Sequence, residues 1–231
     1  MLFRSNDKVR PLPVPPGSGN TSLITCACES HLYRIAPGVK LEDKFWIKDK
    51  AYSLRQMLND DVESANNFVG GTVFQTYLSP RDYHRWHSPV KGKVKKIVQV
   101  AGTYYSVYSS ITDDPAPNER SVGLLPHVAT RVLIYIEPEN KDKIGDLVCF
   151  IGVGMFEVST CQVVVREGDL LDNGQELGMF HFGGSSHCLI FQQKAQIDFV
   201  DRLKPLVGQP PDLKNWKRVM VNSIIATTKA N

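Results

Sequence analysis

The run Gly183-Gly184-Ser185-Ser186, set between apolar residues 177–180 and 189–191, joins two residue types suited to acyl chemistry. Without a side chain, Gly184 lets the backbone take a strained conformation, and the hydroxyl of Ser185 can then approach the glycine carbonyl carbon. A nucleophile carried on the same chain has its proximity advantage built in, so this pair can support self-cleavage. A tight turn between two strands is the other meaning of such a run. A second segment, residues 78–92, places His84 and His87 three residues apart just before Pro89. On one helical turn the two rings would face the same way. A turn whose histidines bond to neighbouring backbone explains the pair equally well. Metal binding is disfavoured, because the spacing is not the i, i+4 of the helical zinc motif and no acidic companion follows.

These side chains must be positioned by elements that read almost entirely as strand. Residues 23–27, 45–47, 68–77, 93–100, 103–109, 131–137, 147–153, 156–165 and 188–191 are rich in Val, Ile, Phe, Tyr and Thr and are separated by Gly, Pro, Asn and Asp. Tyr52 or Ser53 opens one short helix, whose apolar Leu54, Met57 and Leu58 recur at i, i+3, i+4. The fold class expected is mainly β with one or a few short helices (α+β), built on a barrel-sandwich-like β core. Gly168 and Gly174 fall at two turns around a short apolar step, as in the barrel-sandwich domains that carry lipoyl and biotin groups. No lysine stands at the carrier position, so the likeness is architectural. Residues 1–20, with their cluster of prolines and glycines, read as an extended arm, and residues 21–231 as the folded domain. The polar loop 112–120 either lines a site opening or is inert surface.

Composition narrows the function classes. The chain has 231 residues, 42% hydrophobic and 22% charged, with 27 Lys+Arg against 24 Asp+Glu, which excludes disorder as the default state. A net charge of +3 with no basic stripe gives nucleic acid no footprint. The longest apolar run, residues 147–156, is far shorter than the roughly 20 residues a spanning helix needs, so no stable membrane insertion is expected. Five scattered cysteines, Cys26, Cys28, Cys149, Cys161 and Cys188, fit buried thiols in a reducing, cytoplasmic setting.

Taken together, residues 80–89 (Pro-Arg-Asp-Tyr-His-Arg-Trp-His-Ser-Pro) and 182–186 (Phe-Gly-Gly-Ser-Ser) resemble the two signature motifs of the phosphatidylserine decarboxylase family, in the right order and spacing. A looser likeness runs from Leu2-Phe-Arg4 to about Ala230. Details such as Ala27-Cys-Glu-Ser30 and Tyr83-His-Arg-Trp-His87 most resemble the fungal-type branch acting on free amino acids, which includes tryptophan and ibotenic acid decarboxylases. The resemblance implies a proenzyme that cuts itself between Gly184 and Ser185, giving chains 1–184 and 185–231. Ser185 would become a covalent pyruvoyl cofactor that forms a Schiff base with the substrate amine. His87 matches the histidine that removes the serine proton. Glu29 stands where the family usually has an aspartate that orients that histidine, a departure that keeps the carboxylate but lengthens it. His84 is the candidate for substrate contact or for protonating the α-carbon, with His181 and His187 as lesser candidates for the same part.

The resemblance also frames the substrate. The sequence begins near the family's Phe-Phe-x-Arg segment, which leads to the expectation of a soluble amino acid, heterocyclic or aromatic, in preference to phosphatidylserine. Phosphatidylserine decarboxylation is the alternative, and a non-processing binding or scaffold module is the second. The partners expected are the small substrate and the two cleaved chains held together, with a homodimer left open and no metal.

Overall fold

The computed structural model describes residues 10–12, 20–42, 52–103, 122–154, 160–181, 185–212 and 215–229. Most of the proposed arm, the strand expected at 45–47, all but Thr103 of that at 103–109, the loop 112–120, residues 156–159 and Gly184 lie outside them. In chain order the elements begin with β1 (Leu23–Thr25), β2 (Ser30–Pro37), α1 (Leu54–Met57) and α2 (Val62–Asn66). Next come β3 (Thr72–Leu78), β4 (Arg85–His87), β5 (Gly92–Val100), α3 (Leu125–Val128), β6 (Arg131–Pro138), α4 (Lys141–Ile144) and β7 (Val148–Gly154). The remainder holds β8 (Thr160–Val163), β9 (Leu170–Leu171), β10 (Glu176–His181), β11 (Ser185–Phe191), β12 (Ile197–Phe199), β13 (Lys217–Val219) and β14 (Ile224–Thr228).

One large sheet has the order β13-β2-β3-β11-β7-β6-β5-β9, and two small ones read β1-β14-β12 and β4-β10-β8. All their pairings are antiparallel. Strand alternation splits the core in two. One face of the large sheet sends Phe74, Leu78, Val132, Ile134, Phe150, Leu189 and Phe191 into a cluster shared with Ile24, Trp86, Leu177, Phe180 and Ile225 of the small sheets. The other face sends Val73, Leu133, Ile151, Val153, Cys188 and Ile190 against Leu54, Met57, Leu58, Phe68 and Leu125 of the helical side. The β core is therefore an open layered arrangement of antiparallel sheets and not a closed barrel.

β11 sits inside this arrangement with every residue buried, which is why 188–191 reads as an unbroken apolar run. Each of its large apolar side chains contributes about 1.5–3 kcal/mol of burial free energy. The helix expected after Tyr52 forms with Ser53 at its N-cap and with Leu54 and Met57 buried. The strand expected from residue 68 starts instead at Thr72, because α2 and the turn after it occupy 62–70 and end at Gly70 with φ +76°. Gly168 and Gly174 take φ of +94° and +83°, the turn conformations expected of them. All five cysteines are free and buried. No helix among the described residues is long and apolar enough to cross a membrane.

Candidate active site

Ser185 opens β11, where its backbone lies between Leu78 of β3 and Gly154 of β7. Its side chain is fully buried, and its Oγ has no hydrogen-bond partner among the described residues. Ser186 is the opposite case. Its hydroxyl donates to the Thr76 carbonyl at 2.7 Å and accepts from Gln75 Nε2 at 3.1 Å. Gln75 is fixed in turn by Tyr52, whose hydroxyl donates to it at 2.6 Å, and by the Val122 carbonyl. Alternation thus separates the two serines: Ser186 is satisfied on the helical side, while Ser185 shares the Phe74–Phe150 side of the sheet with its hydroxyl unspent. An unsatisfied buried hydroxyl costs about 1–3 kcal/mol, a cost that Ser185 bears and Ser186 does not.

The histidine pair does not lie on a helical turn. β4 pairs with β10, with Trp86 opposite Gly178 and His87 opposite Glu176, and the His84 carbonyl accepts from Phe180 N at 2.9 Å. In extended chain, residues three apart face opposite ways, so the expectation that the rings share a face is corrected. His84 packs edge-on against Phe180 at 6.5 Å, on the side of Trp86. From there an aromatic series runs Phe180–Trp86 at 4.9 Å, Trp86–Phe150 at 5.4 Å and Phe150–His187 at 5.9 Å, back to the face of Ser185. Gly178 makes room for it: a Cβ there would come 2.7 Å from Trp86 Cζ3.

His87 is held by two bonds that define its tautomer. Nδ1 lies 2.7 Å from the Gly174 carbonyl, which can only accept, so Nδ1 carries the proton. Nε2 is then the bare nitrogen and accepts from the Tyr83 hydroxyl at 3.1 Å. Burial lowers the pKa of His87 against the raising effect of the Gly174 bond, and burial pushes Tyr83 up to about 12, so base and donor both stay neutral. A carbonyl therefore gives His87 the tautomer a general base requires, the part a carboxylate plays in many catalytic triads.

Glu29 is almost fully buried, yet none of its hydrogen bonds or ion pairs reaches His87. One oxygen accepts from Arg10 Nη2 at 2.7 Å and Nε at 3.0 Å, and the other from Arg218 Nη2 at 2.7 Å. Two guanidinium groups hold the carboxylate more strongly than a neutral imidazole would. The Arg10 guanidinium lies 4.1 Å from the centre of the Tyr83 ring, so the link from Glu29 to His87 runs through Arg10 and Tyr83. His181 ends β10 and bonds to Gln162, on β8. Sequence reasoning missed Tyr83, Gly174, Arg10, Arg218 and Thr76. Only the positive φ of Gly174 left a trace, as the turn expected there. No group of three or more His, Cys, Asp or Glu able to hold a metal occurs among the described residues.

Residues 1–210 match the family model of phosphatidylserine decarboxylase. Among similar proteins, decarboxylase iboD of Amanita muscaria is 47% identical over 94% of this chain and 61% of its own length. An L-tryptophan decarboxylase of Psilocybe cubensis is 36% identical over 99% of this chain and 51% of its own. Phosphatidylserine decarboxylase proenzyme 2 of Oryza sativa is 30% identical over 75% of this chain and 26% of its own. The chain thus spans about half the length of the fungal relatives it matches, and less of the plant one.

Proposed function

The chain belongs to the phosphatidylserine decarboxylase family, and from that premise we propose that it is a self-processing decarboxylase of a free, heterocyclic or aromatic amino acid such as ibotenic acid or tryptophan. The observation that carries the proposal is the Ser185 hydroxyl, buried and without a partner among the described residues at the head of a strand. A pyruvoyl group needs a serine in such a place, and the residues present fit it.

Processing is then work for the chain's own side chains. His87, neutral and with Nε2 as its basic nitrogen, takes the Ser185 proton once the Tyr83 hydroxyl gives way. Ser185 Oγ attacks the Gly184 carbonyl carbon, the C–N bond breaks, and an ester replaces the amide. Loss of the residue 185 α-proton expels that ester as the carboxylate of chain 1–184. The resulting dehydroalanine takes up water and releases ammonia, leaving the pyruvoyl group on chain 185–231. That group supplies a carbonyl that condenses with an amine and draws electrons as carbon dioxide leaves. Glu29 steadies His87 through Arg10 and Tyr83, and His84 serves substrate contact or proton return. The buried free thiols support a reducing compartment such as the cytosol.

The two chains would stay together. β11 is paired along its whole length with β3 and β7, while β13 and β14 pair with β2 and β1, so chain 185–231 has neighbours from chain 1–184 in two sheets. Intact-mass measurement of purified protein tests the reading. Two chains are expected, the smaller with a carbonyl-reactive N-terminus, together with carbon dioxide release from free amino acids. One uncut chain with full activity sinks the mechanism, and release confined to phosphatidylserine vesicles overturns the substrate.

A further inference from the structure

His187 lies two residues beyond Ser185 on the same face of β11, wholly buried, with its ring stacked on Phe150 at an interplanar angle of 23°. Its Nδ1 is 2.6 Å from Thr76 Oγ1, the residue directly opposite on β3, and its Nε2 has no hydrogen-bond partner among the described residues. The proton can be assigned by counting what each tautomer strands. If Nδ1–H donated to Thr76, the Thr76 hydroxyl proton would have no acceptor and Nε2 would be an empty acceptor as well. If Thr76 O–H donates to Nδ1, only Nε2–H is unmet. The second arrangement strands one group instead of two, and buried polar groups are rarely stranded at all. Burial holds the imidazole neutral, pushing its pKa down to about 3.

We propose that His187 Nε2–H donates a hydrogen bond to the α-carboxylate of the amino-acid substrate in the mature site, making it a further substrate-contacting residue beside Ser185. The proposal rests on the decarboxylase reading. Two unspent polar atoms, Ser185 Oγ and His187 Nε2, share one strand face in an otherwise aromatic setting of Phe74, Trp86 and Phe150. An N–H donor there selects an acceptor on the ligand. One neutral donor suits a carboxylate about to leave: it fixes the direction of the C–C bond without the ground-state stabilisation a lysine or arginine would add.

The test uses His187→Phe, which keeps the stack on Phe150 and removes the donor, in the cleaved protein. Intact mass and carbonyl labelling should show processing and group content equal to wild type. Binding is measured with indolepropionate, which has the carboxylate but no amine, and tryptamine, which has the amine but no carboxylate. Indolepropionate affinity should fall about tenfold to a hundredfold, the size of a lost hydrogen bond to a charged group, while tryptamine stays within about twofold. Equal loss for both probes, or for neither, overturns the proposal, as does failure of His187→Phe to cleave. If a cleaved wild type binds neither probe, the pair is remade from whichever free amino acid releases carbon dioxide. If none does, the decarboxylase reading fails on its own. Nitrogen-15 NMR of the Ser185→Ala chain then still decides the donor: Nε2 should carry the proton, Thr76→Val should scramble the tautomer, and a proton on Nδ1 in the parent refutes the assignment.

Discussion

Lowering the pH from 7.5 to 5.0 should destabilise this fold steeply, through two histidines that it buries neutral. His127 accepts from Ser53 N on Nε2 at 3.2 Å, and its Nδ1 faces the Leu124 carbonyl at 3.2 Å, so a second proton would break the Ser53 bond that ties α1 to α3. Burial lowers its pKa to about 4 and that of His187 to about 3, from 6.5 for both. The folded pKa values lie below the unfolded one. Above 6.5 neither state binds the proton and nothing changes; below it the unfolded chain takes up protons the folded chain refuses, and stability falls until the folded values are reached. Each pH unit in that window costs about 1.4 kcal/mol per histidine, so at pH 5.0 the pair costs about 4 kcal/mol. For a chain of this size that is a drop in Tm of about 8–16 °C. His87, also lowered, adds in the same direction. Asp61 and Glu137, held down to about 2 by their lysine partners, titrate below this window and do not confuse it. The assay is thermal unfolding of Ser185→Ala, a single uncut chain, at several pH values, alone and with His127→Gln added. The double variant should lose about half of the pH dependence. A Tm that is flat from pH 7.5 to 5.0, or a slope unchanged by His127→Gln, refutes the reasoning.

Other outcomes follow from the same geometry. Ser185→Ala should remain one chain by mass and release no carbon dioxide, yet denature no more easily than an uncut wild-type precursor, because it deletes a hydroxyl without a partner among the described residues. His87→Ala should block cleavage while leaving circular dichroism unchanged, and normal processing would show that another base serves Ser185. Tyr83→Phe should still cleave, with the acid limb of its rate-against-pH curve moved to higher pH by loss of a donor to Nε2; an unmoved limb argues against that bond. Glu29→Gln leaves Arg10 and Arg218 without their shared carboxylate and should cost about 1–3 kcal/mol in urea unfolding, with slower processing as a consequence.

How much of this was legible beforehand depended on how local each signal was. β5, β6 and β7 fall within a residue or so of their expected bounds, since runs of β-branched and aromatic residues between turn residues carry that information themselves. β2 was missed because Arg34 and a register shift between Leu32 and Arg34 break the alternation a strand should show. β4 was missed for a different reason: three residues beside a proline become a strand only because β10 lies alongside, a tertiary fact. Ser185, His87 and His84 were legible as chemically unusual residues at suggestive spacing. Their partners were not, since Gly174 reaches His87 from 87 residues away and Arg218 reaches Glu29 from 189.

The two serines of one dipeptide show what the fold adds to the motif. In sequence, Ser185 and Ser186 are neighbouring hydroxyls told apart only by the glycine before the first. Pleating sends one toward Gln75 and Thr76, where it is bonded on both sides, and the other toward the aromatic face, where no described group meets it. The same alternation brings His187 to the face of Ser185 and sends His87 away from that of Trp86. The two imidazoles hold different tautomers: His87 has a bare Nε2 that can take a proton, and the proposed assignment gives His187 a protonated Nε2 that can meet an anion. Burial keeps both neutral, and the Glu29 carboxylate joins Arg10 to Arg218. Under the proposed processing that carboxylate would bridge the two polypeptides, because Arg10 precedes the Gly184–Ser185 bond and Arg218 follows it.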